Sequence, residues 1–356
     1  MRIWLDVLTP KQVLFLYPLR RELLRAGHEV LLTTREHREV RGLLELLGVE
    51  ASVMGTYAGA GLEHKLEASL HRCLALLPAV KRFAPHLALS FSSPECARVA
   101  YGLGIPHIAV NDSPHAEHVA RLTIPLSALL LSPWVIPYRA WAPYGIRRAQ
   151  FRPYRALDPM AWLLRLGELQ PLFRRGPEEP EGFVLIRTPE LASSYLRGIT
   201  LDVASLLSGL AAQHKAQRFV VLPRYEQEAE ELVRRLAHQG NVRILRSVVF
   251  APSLLLKAKA FVGMGGTMTA EAALLGVPSI SAYPGTPTLI ERFLVRRGCV
   301  LRARDEEQLR RLLDMVLEDA RLRQRLSERG RALARAMKDP IAALVAAIES
   351  LGRPKA

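Results

Sequence analysis

A glycine-rich segment in the second half of the chain has the residue types and spacing of an anion-binding turn. A short apolar run ends in Gly263-Met264-Gly265-Gly266-Thr267, and a helical pattern begins at once. Glycines let a ligand approach the backbone closely, and the free N–H groups at a helix N-terminus favour phosphate. Glu271 follows one turn later, where a carboxylate can reach hydroxyl groups beside the phosphate. The pattern predicts a site for a phosphate-linked sugar; a turn that merely packs a helix on a sheet is the alternative.

Two familiar phosphate-binding motifs are excluded for this segment. Met268 stands where the dinucleotide fingerprint requires its third glycine, and the segment is not on the first strand–helix turn. The chain contains no Gly-x-x-x-x-Gly-Lys-Ser/Thr run, so it has no P-loop. The predicted site therefore lies in the second half of the chain and uses neither the dinucleotide fingerprint nor a P-loop to bind its anion.

A second group of chemically active residues follows a predicted strand in the first half. Asp112, His115, Glu117 and His118 lie within seven residues. Such side chains can act as a general base because their pKa values are tunable. The alternative for Asp112 is that it caps the following helix. The two histidines do not have the spacing of a His-Glu-x-x-His metal motif, and the chain has no Asp-x-Asp pair. We therefore predict a site without a metal.

Both groups depend on elements that alternate between short apolar runs and amphipathic helices. This alternation predicts an α/β fold with parallel sheets covered on both faces. At 356 residues the chain exceeds the usual size of one core. We predict two Rossmann-like domains facing each other across a cleft. Residues 1–166 form the first domain, 167–182 a linker and 183–339 the second domain; 340–356 form a final helix.

Composition limits the class of protein. Three cysteines far apart in the sequence are typical of reduced thiols. The chain has no run of about 18 apolar residues, so no membrane span is predicted. The sequence also has no signal-peptide pattern, so we predict a cytoplasmic protein. The net charge is +15, and 8 of the 49 basic residues are lysine. Arginines alternate with acidic residues along helices, so we do not expect nucleic-acid binding.

Residues 134–165 interleave aromatic and arginine side chains. Aromatic bodies with cationic neighbours suit an anionic lipid surface. On this interpretation the protein makes peripheral contact with the inner face of the membrane and meets a lipid-linked acceptor there. Packing between domains is the more common use of such a segment.

The motifs together resemble a known superfamily. The run Gly-x-Gly-Gly-Thr-x-x-x-Glu-Ala-x-x-x-Gly-x-Pro from Gly263 to Pro278 resembles that of GT-B proteins, which include nucleotide-sugar glycosyltransferases and UDP-N-acetylglucosamine 2-epimerases. The N-terminal run 1–10, the central run 111–123 and the run 265–276 resemble an uncharacterised prokaryotic family, domain of unknown function 354. The resemblance covers nearly the whole chain and implies the GT-B fold, with the final helix crossing back to the first domain.

The resemblance also implies roles for particular residues. The donor, a nucleotide-diphosphate sugar with UDP as the expected nucleotide, is a substrate, and no cofactor is expected. Its diphosphate would lie on the glycine turn and its ribose hydroxyls on Glu271. Arg224 would point into the same crevice, unless it pairs with Glu226 or Glu228 on the surface. The full nucleotide-sugar set is Arg224, Gly263, Gly265, Gly266, Thr267 and Glu271. The first domain would supply the unknown acceptor's site and the base, from Asp112, His115 and Glu117.

The predicted activity is metal-independent sugar transfer to an unknown acceptor. A UDP-N-acetylglucosamine 2-epimerase-like enzyme is the alternative, but two of that family's positions differ here. Ser92-Ser93 stands where the epimerases have a carboxylate, and Arg187-Thr188-Pro189-Glu190 replaces a histidine-rich segment. Glu117 and Glu190 are the candidate substitutes. A non-catalytic protein that binds a nucleotide or glycan is the third hypothesis.

Overall fold

A computed structural model describes residues 1–57, 59, 61–173, 179–190, 201–247 and 249–352. The chain forms two compact units. Unit 1 consists of Met1–Glu168 together with Met337–Ala356, and unit 2 is Leu169–Ala336. Residues 174–178 of the predicted linker lie outside the described residues.

Unit 1 is built on a seven-stranded parallel sheet in the order β3-β2-β1-β4-β5-β6-β7. The central strands are almost wholly buried because helices cover both faces of a parallel sheet. The strands are β1 Arg2–Val7, β2 Glu29–Glu36, β3 Ser52–Thr56, β4 Leu87–Ser90, β5 His107–Val110, β6 Leu129–Pro133 and β7 Phe151–Tyr154.

The helices of unit 1 begin and end at residues with recognisable local chemistry. Pro10 occupies the first turn of the first helix, where its missing N–H costs nothing. Gly48 ends the second helix in the left-handed conformation, and Ser93 caps the fourth by accepting from the Cys96 N–H. The helices are α1 Pro10–Arg25, α2 Arg38–Leu47, α3 Leu62–Phe83, α4 Pro94–Gly102, α5 Glu117–Thr123 and α6 Met160–Leu163.

Strands β6 and β7 change the interpretation of the aromatic segment 134–165. Proline interrupts both strands, but Pro153 lies on the edge strand β7, where no further strand needs its N–H. Trp141 and Trp162 are fully buried, and Trp141 Nε1 donates to Ser132 Oγ at 3.2 Å. These side chains therefore form part of the core of unit 1, which neither the membrane nor the inter-domain interpretation predicted.

A buried ion pair connects α3 to β1. Arg72 donates to both carboxylate oxygens of Asp6, at 2.6 and 3.1 Å, and its Nε donates to the Met54 carbonyl. Thr33 Oγ1 donates to Asp6 as well, at 2.5 Å. Paired charges with further hydrogen bonds are the condition under which burial of an ion pair is tolerated. The nearby carboxylates hold the pKa of Arg72 above its ordinary value against the effect of burial.

The C-terminal helix α15, Pro340–Gly352, belongs to unit 1. It packs against α1 and α6. Ile341, Leu344 and Ile348 are buried at the helical spacing of one apolar face. Asp339, the residue before the helix, forms an ion pair with Arg165 at 2.6 Å.

Unit 2 has a six-stranded parallel sheet in the order β10-β9-β8-β11-β12-β13. The α/β fold class with parallel sheets is thus confirmed in both units. The strands are β8 Val184–Arg187, β9 Phe219–Leu222, β10 Val242–Ile244, β11 Ala260–Gly263, β12 Ser279–Ser281 and β13 Val300–Arg302. The helices are α7 Gln170–Phe173, α8 Val203–Gln213, α9 Glu226–Leu236, α10 Ala251–Leu255, α11 Gly266–Leu275, α12 Leu289–Arg296, α13 Glu306–Glu318 and α14 Ala320–Arg335.

A close contact fixes α11 in unit 2. A methyl group on Gly330 of α14 would lie 1.9 Å from the carbonyl oxygen of Ala273 in α11, so only glycine allows this approach. The glycine turn therefore stands at the start of a helix with a firmly packed body. Among the described helices of the whole chain, none combines the length and apolar character needed to cross a bilayer.

Candidate functional site

The predicted glycine turn lies at the point where the strand order of the second sheet reverses. Strands β8 and β11 are neighbours there, and the chain leaves them in opposite directions across the sheet. In open parallel sheets, ligands bind beside the carboxyl ends of the strands at such a point. Gly263 ends β11 and Arg224 follows β9 by two residues. The fold thus brings the predicted nucleotide-binding residues to the ligand-binding edge of one sheet.

The three glycines of the turn differ in what they require. A methyl group on Gly263 would lie 2.1 Å from Thr269 Oγ1 and 2.6 Å from the Phe261 ring. Gly265 precedes α11 in an extended conformation, and a methyl group there would lie 3.0 Å from Arg224 Nη2. A methyl group on Gly266 would meet nothing within 4 Å, and Gly266 is not in the left-handed region. Gly263 is therefore a packing residue, whereas the folded chain does not need a glycine at position 266.

Arg224 directs its guanidinium toward this turn. The alternative partners predicted for it are engaged otherwise: Glu226 pairs with Arg246 at 2.7 Å, and Glu228 accepts from the Arg224 backbone N–H at 2.7 Å. Arg224 Nε is buried and has no hydrogen-bond partner within the described ranges. The structure thus places a cation beside Gly265; its contact with phosphate stays a prediction.

Thr267 and Glu271 lie on the first turns of α11. Thr267 is half-buried, and Glu271 is only 2% exposed. The Glu271 carboxylate therefore lies largely within the protein. Its contact with ribose hydroxyls stays a prediction. Gly276 ends the helix in the left-handed conformation, as the sequence predicts for a helix stop.

A second helix N-terminus borders a small pocket beside the glycine turn. The pocket is lined by Gly265, Gly266, Ser281, Tyr283, Thr288 and Glu291, among others. Thr288 caps α12 by accepting from the Glu291 N–H at 3.1 Å. Two helix N-termini with Arg224 nearby make this edge of unit 2 electrostatically favourable for an anion.

In unit 1, Asp112 belongs to a cluster that also lies at the carboxyl ends of strands. Lys11 Nζ lies 2.5 Å from Asp112 Oδ2 and 2.7 Å from Asp158 Oδ2. Tyr154 donates a short hydrogen bond to Asp158. Lys11 also lies over the Phe91 ring, 4.3 Å from its centre. The cluster joins the turns after β1, β4, β5 and β7.

The two carboxylates of this cluster have opposite pKa shifts. Burial opposes the charge of both, but Lys11 and a hydrogen bond from Ser113 hold the pKa of Asp112 below its ordinary value. For Asp158, burial and the neighbouring Asp112 charge outweigh Lys11 and raise the pKa to about 7. Despite its own burial, the two carboxylates raise the pKa of Lys11. Asp112 is 16% exposed and Asp158 only 2%. Asp112 is therefore the ionised carboxylate that a ligand can reach.

The structure does not gather the whole predicted cluster. Helix α5 begins after Ala116 without a side-chain cap, so the prediction that Asp112 caps this helix is wrong. His115 is exposed in the preceding loop. Glu117 is exposed and pairs with Arg121 at 2.7 Å on the helix surface. Asp112 and Glu117 therefore have different surroundings: Asp112 pairs with Lys11 in the cluster, whereas Glu117 forms an ordinary surface ion pair.

The pairing of Lys11 with Asp112 and Asp158 was not predicted, although the sequence carries a signal for it. Lys11 occupies the first turn of α1, where a cation opposes the helix dipole and calls for an acidic partner. The partners lie 101 and 147 positions away in the sequence, at Asp112 and Asp158. In the part of the chain that is described, no three His, Cys, Asp or Glu side chains are placed to hold a metal ion; metal independence stays a prediction.

The sequence matches one protein family over nearly its whole length and is similar to an uncharacterised protein over most of both chains. The model of the family described as "Protein of unknown function (DUF354)" matches residues 1–345. An uncharacterised protein of Methanocaldococcus jannaschii is 26% identical over 313 residues, which cover 86% of this chain and 89% of that protein.

Solved structures similar to this chain include epimerases and glycosyltransferases. The UDP-GlcNAc 2-epimerase of Neisseria meningitidis, solved with UDP-GlcNAc, has a TM-score of 0.78 at 15% identity and covers 98% of this chain and 100% of its own. A spinosyn rhamnosyltransferase has a TM-score of 0.64 at 17% identity, over 98% of this chain and 100% of its own. At these identities the likeness shows the fold, and the predicted GT-B fold is confirmed.

Proposed function

The chain belongs to the family of proteins of unknown function DUF354, and we propose that it transfers a sugar from a nucleotide-diphosphate donor to an acceptor hydroxyl. Unit 2 would bind the donor, and unit 1 would supply the proton acceptor. The observation that supports the donor site most strongly is Arg224 beside the open N-terminus of α11.

The donor assignment follows from the chemistry of this edge of unit 2. A diphosphate needs N–H donors, a positive field and space close to the backbone. The α11 N-terminus supplies the first two, and Gly266 leaves the space open. Arg224 adds a bidentate donor suited to phosphate oxygens. When the sugar leaves, the same groups would stabilise the charge that develops on the diphosphate.

The reaction assignment depends on Asp112. In the proposed step, Asp112 takes the proton of the acceptor hydroxyl. The hydroxyl oxygen then bonds to the anomeric carbon, and the bond from that carbon to the diphosphate oxygen breaks. Lys11 keeps Asp112 ionised and so ready to receive the proton. One proton acceptor is sufficient for transfer. His115, in the same loop, is the second candidate for this role.

Epimerisation is the second candidate activity for this fold. Removing and returning a proton at a sugar carbon needs acid and base groups on opposite sides. Ser92 donates to the Val110 carbonyl at 2.9 Å and Ser93 caps α4, so both have structural contacts. Glu117, one of the two candidate substitutes, is paired on the surface. The remaining candidate, Glu190, is half-buried after β8. These positions favour transfer over epimerisation.

An anionic acceptor, such as a lipid-linked phosphate, is supported by an exposed group of arginines in unit 1. The exposed members are Arg139, Arg147, Arg148, Arg152 and Arg155. Arg148 lies over the rings of Tyr138 and Phe151, at 5.4 and 5.7 Å, which holds its side chain in place. Co-sedimentation with anionic and neutral vesicles tests this part. Binding that is absent or insensitive to salt contradicts it.

One experiment separates the three hypotheses. The protein is incubated in D₂O with sugars linked to UDP, GDP, ADP and TDP, together with a mixture of membrane lipids. Transfer releases the nucleoside diphosphate without deuterium in the recovered donor, whereas epimerisation introduces deuterium at the carbon that loses its proton. Asp112→Asn should abolish transfer, and the surface variant Asp314→Asn should not. Deuterium in the donor contradicts the proposal, and binding without any turnover supports a non-catalytic protein.

A further inference from the structure

Asp158 is a buried carboxylate that the transfer step described above does not use. Its side chain is 2% exposed, whereas those of Lys11 and Asp112 are 17% and 16% exposed. Lys11 Nζ lies 2.5 Å from Asp112 Oδ2 and 2.7 Å from Asp158 Oδ2, so one ammonium group bridges the two carboxylates. The carboxylate that an acceptor can reach is thus connected through Lys11 to one that it cannot reach.

The second oxygen of Asp158 is held by Tyr154. The Tyr154 hydroxyl donates to Asp158 Oδ1. Burial and the Asp158 charge raise the pKa of this phenol well above its ordinary value, so it stays a hydrogen-bond donor. Oδ1 is therefore occupied, and Oδ2, the oxygen beside Lys11, is the one on which Asp158 can carry a proton.

The cluster holds more negative charge than one ammonium group balances. Because both distances end on the same nitrogen, the two Oδ2 atoms are at most about 5 Å apart, and two buried carboxylates so close do not both ionise readily. The titratable groups that act on Asp158, besides its burial, are Lys11, Asp112 and Tyr154; His115, in the loop before α5, lies near Asp112 and Lys11. Burial raises the pKa of Asp158 to about 7, whereas the pKa of Asp112 is lowered, so the pair keeps its proton on Asp158 and its charge on Asp112.

We propose that Asp158 is a proton store that serves Asp112 during sugar transfer. Asp112 takes the proton of the acceptor hydroxyl. In a concerted exchange, Lys11 then takes that proton from Asp112 Oδ2 and gives one of its own to Asp158 Oδ2. Lys11 keeps its charge, Asp112 is ionised again, and Asp158 becomes the neutral acid.

The store compensates for the weakness of Asp112 as a base. A carboxylate that is so readily ionised holds a proton poorly, and transfer of that proton to a group with higher affinity completes its removal from the acceptor. Asp158 does not touch the acceptor and acts only through Asp112, so it is a positioning residue. This role depends on the proposed function, whereas the proton on Asp158 in the protein alone does not.

The first test detects the proton without any substrate. Infrared difference spectra of the full chain, recorded as the pH is raised from about 6 to 8.5, should show the loss of one carboxylic-acid C=O stretch with a midpoint near 7. Asp158→Asn should lack this band, and the surface variant Asp314→Asn should keep it. Tyr154→Phe should move the midpoint to higher pH, because the hydrogen bond that it removes holds the pKa of Asp158 down. A spectrum without the band, a band that survives Asp158→Asn, or an unshifted midpoint in Tyr154→Phe overturns the proposal.

The second test measures transfer itself. The kcat should rise with pH through about 7, because the store must be empty to receive a proton. Asp158→Asn should lose this rise and lower kcat by about 10-fold to 100-fold at an unchanged KM, since Asp158 does not contact the acceptor. A raised KM with unchanged kcat, or an unaltered pH profile, overturns the store. If no sugar is transferred, the store and the proposed function fail together, and the infrared band still decides whether Asp158 carries the proton.

Discussion

Replacing Gly266 by alanine distinguishes a ligand-binding glycine from a structural one. The added methyl group would meet no atom within 4 Å, and Gly266 is the first residue of α11. A glycine-to-alanine change at a compatible site stabilises by about 0.4–1 kcal/mol, because the unfolded chain loses freedom. For a unit of this size that corresponds to a rise of about 1–4 °C in melting temperature. The protein alone should therefore tolerate the change or gain from it.

The same methyl group should harm the binding of a nucleoside diphosphate. It would occupy the space in which phosphate oxygens reach the free N–H groups of α11. Losing one hydrogen bond to a charged group costs about 1.5–3 kcal/mol. Because 1.4 kcal/mol is a factor of ten, the Kd should rise by about 10-fold to 100-fold. Loss of affinity with gain of stability is the signature of a residue kept for its ligand.

Calorimetric titration and scanning calorimetry on the same samples measure both quantities. The matched control is Gly240→Ala, since Gly240 is also open to solvent in unit 2 and its φ is not left-handed. This control should leave binding unchanged. Unaltered affinity in Gly266→Ala refutes the close approach of phosphate, and a lower melting temperature shows that the glycine serves the fold.

Three further predictions concern the fold and the cluster in unit 1. Gly263→Ala should destabilise unit 2 by about 1–3 kcal/mol, because its methyl group would lie 2.1 Å from Thr269 Oγ1; an unchanged urea midpoint contradicts this. Arg72→Met should cost about 3–5 kcal/mol by leaving Asp6 buried and unpaired, and Arg72→Met/Asp6→Asn should recover part of the loss; equal losses in both variants contradict the pairing. Burial raises the pKa of Asp158 to about 7 in the folded protein, above the ordinary value of about 3.9, so the folded state binds the extra proton and this group's contribution to stability falls as pH rises from about 4 to 7. Asp158→Asn should flatten that part of the stability profile in thermal melts, and an identical slope contradicts the assignment.

The sequence was informative wherever the signal was local. The alternation of apolar runs and helices predicted the parallel sheets that both units contain. Strand β7 was missed because it is short and contains Pro153, which weakens any strand pattern. The aromatic residues around it were therefore assigned to surfaces, whereas Trp141 and Trp162 lie in the core.

The candidate site shows the same division. The glycine turn and Arg224 could be predicted because each follows a recognisable strand. The pairing of Asp112 with Lys11 could not be predicted, since the two residues are 101 positions apart in the sequence and pairing over that distance depends on the order of strands. Glu117 was grouped with Asp112 by proximity in sequence alone, and a helix start between them separates their side chains.

The most direct test of the central claim is calorimetric titration of the full chain with UDP, GDP, ADP and TDP in the presence of a chelator. We expect at least one nucleoside diphosphate to bind, and Arg224→Ala to weaken that binding by about 10-fold or more, as the loss of a charged hydrogen bond predicts. Arg311→Ala, which changes an exposed arginine of the same unit, should bind as the unmodified chain does. If none of the four nucleotides binds, or if Arg224→Ala binds with unchanged affinity, the proposed donor site is wrong.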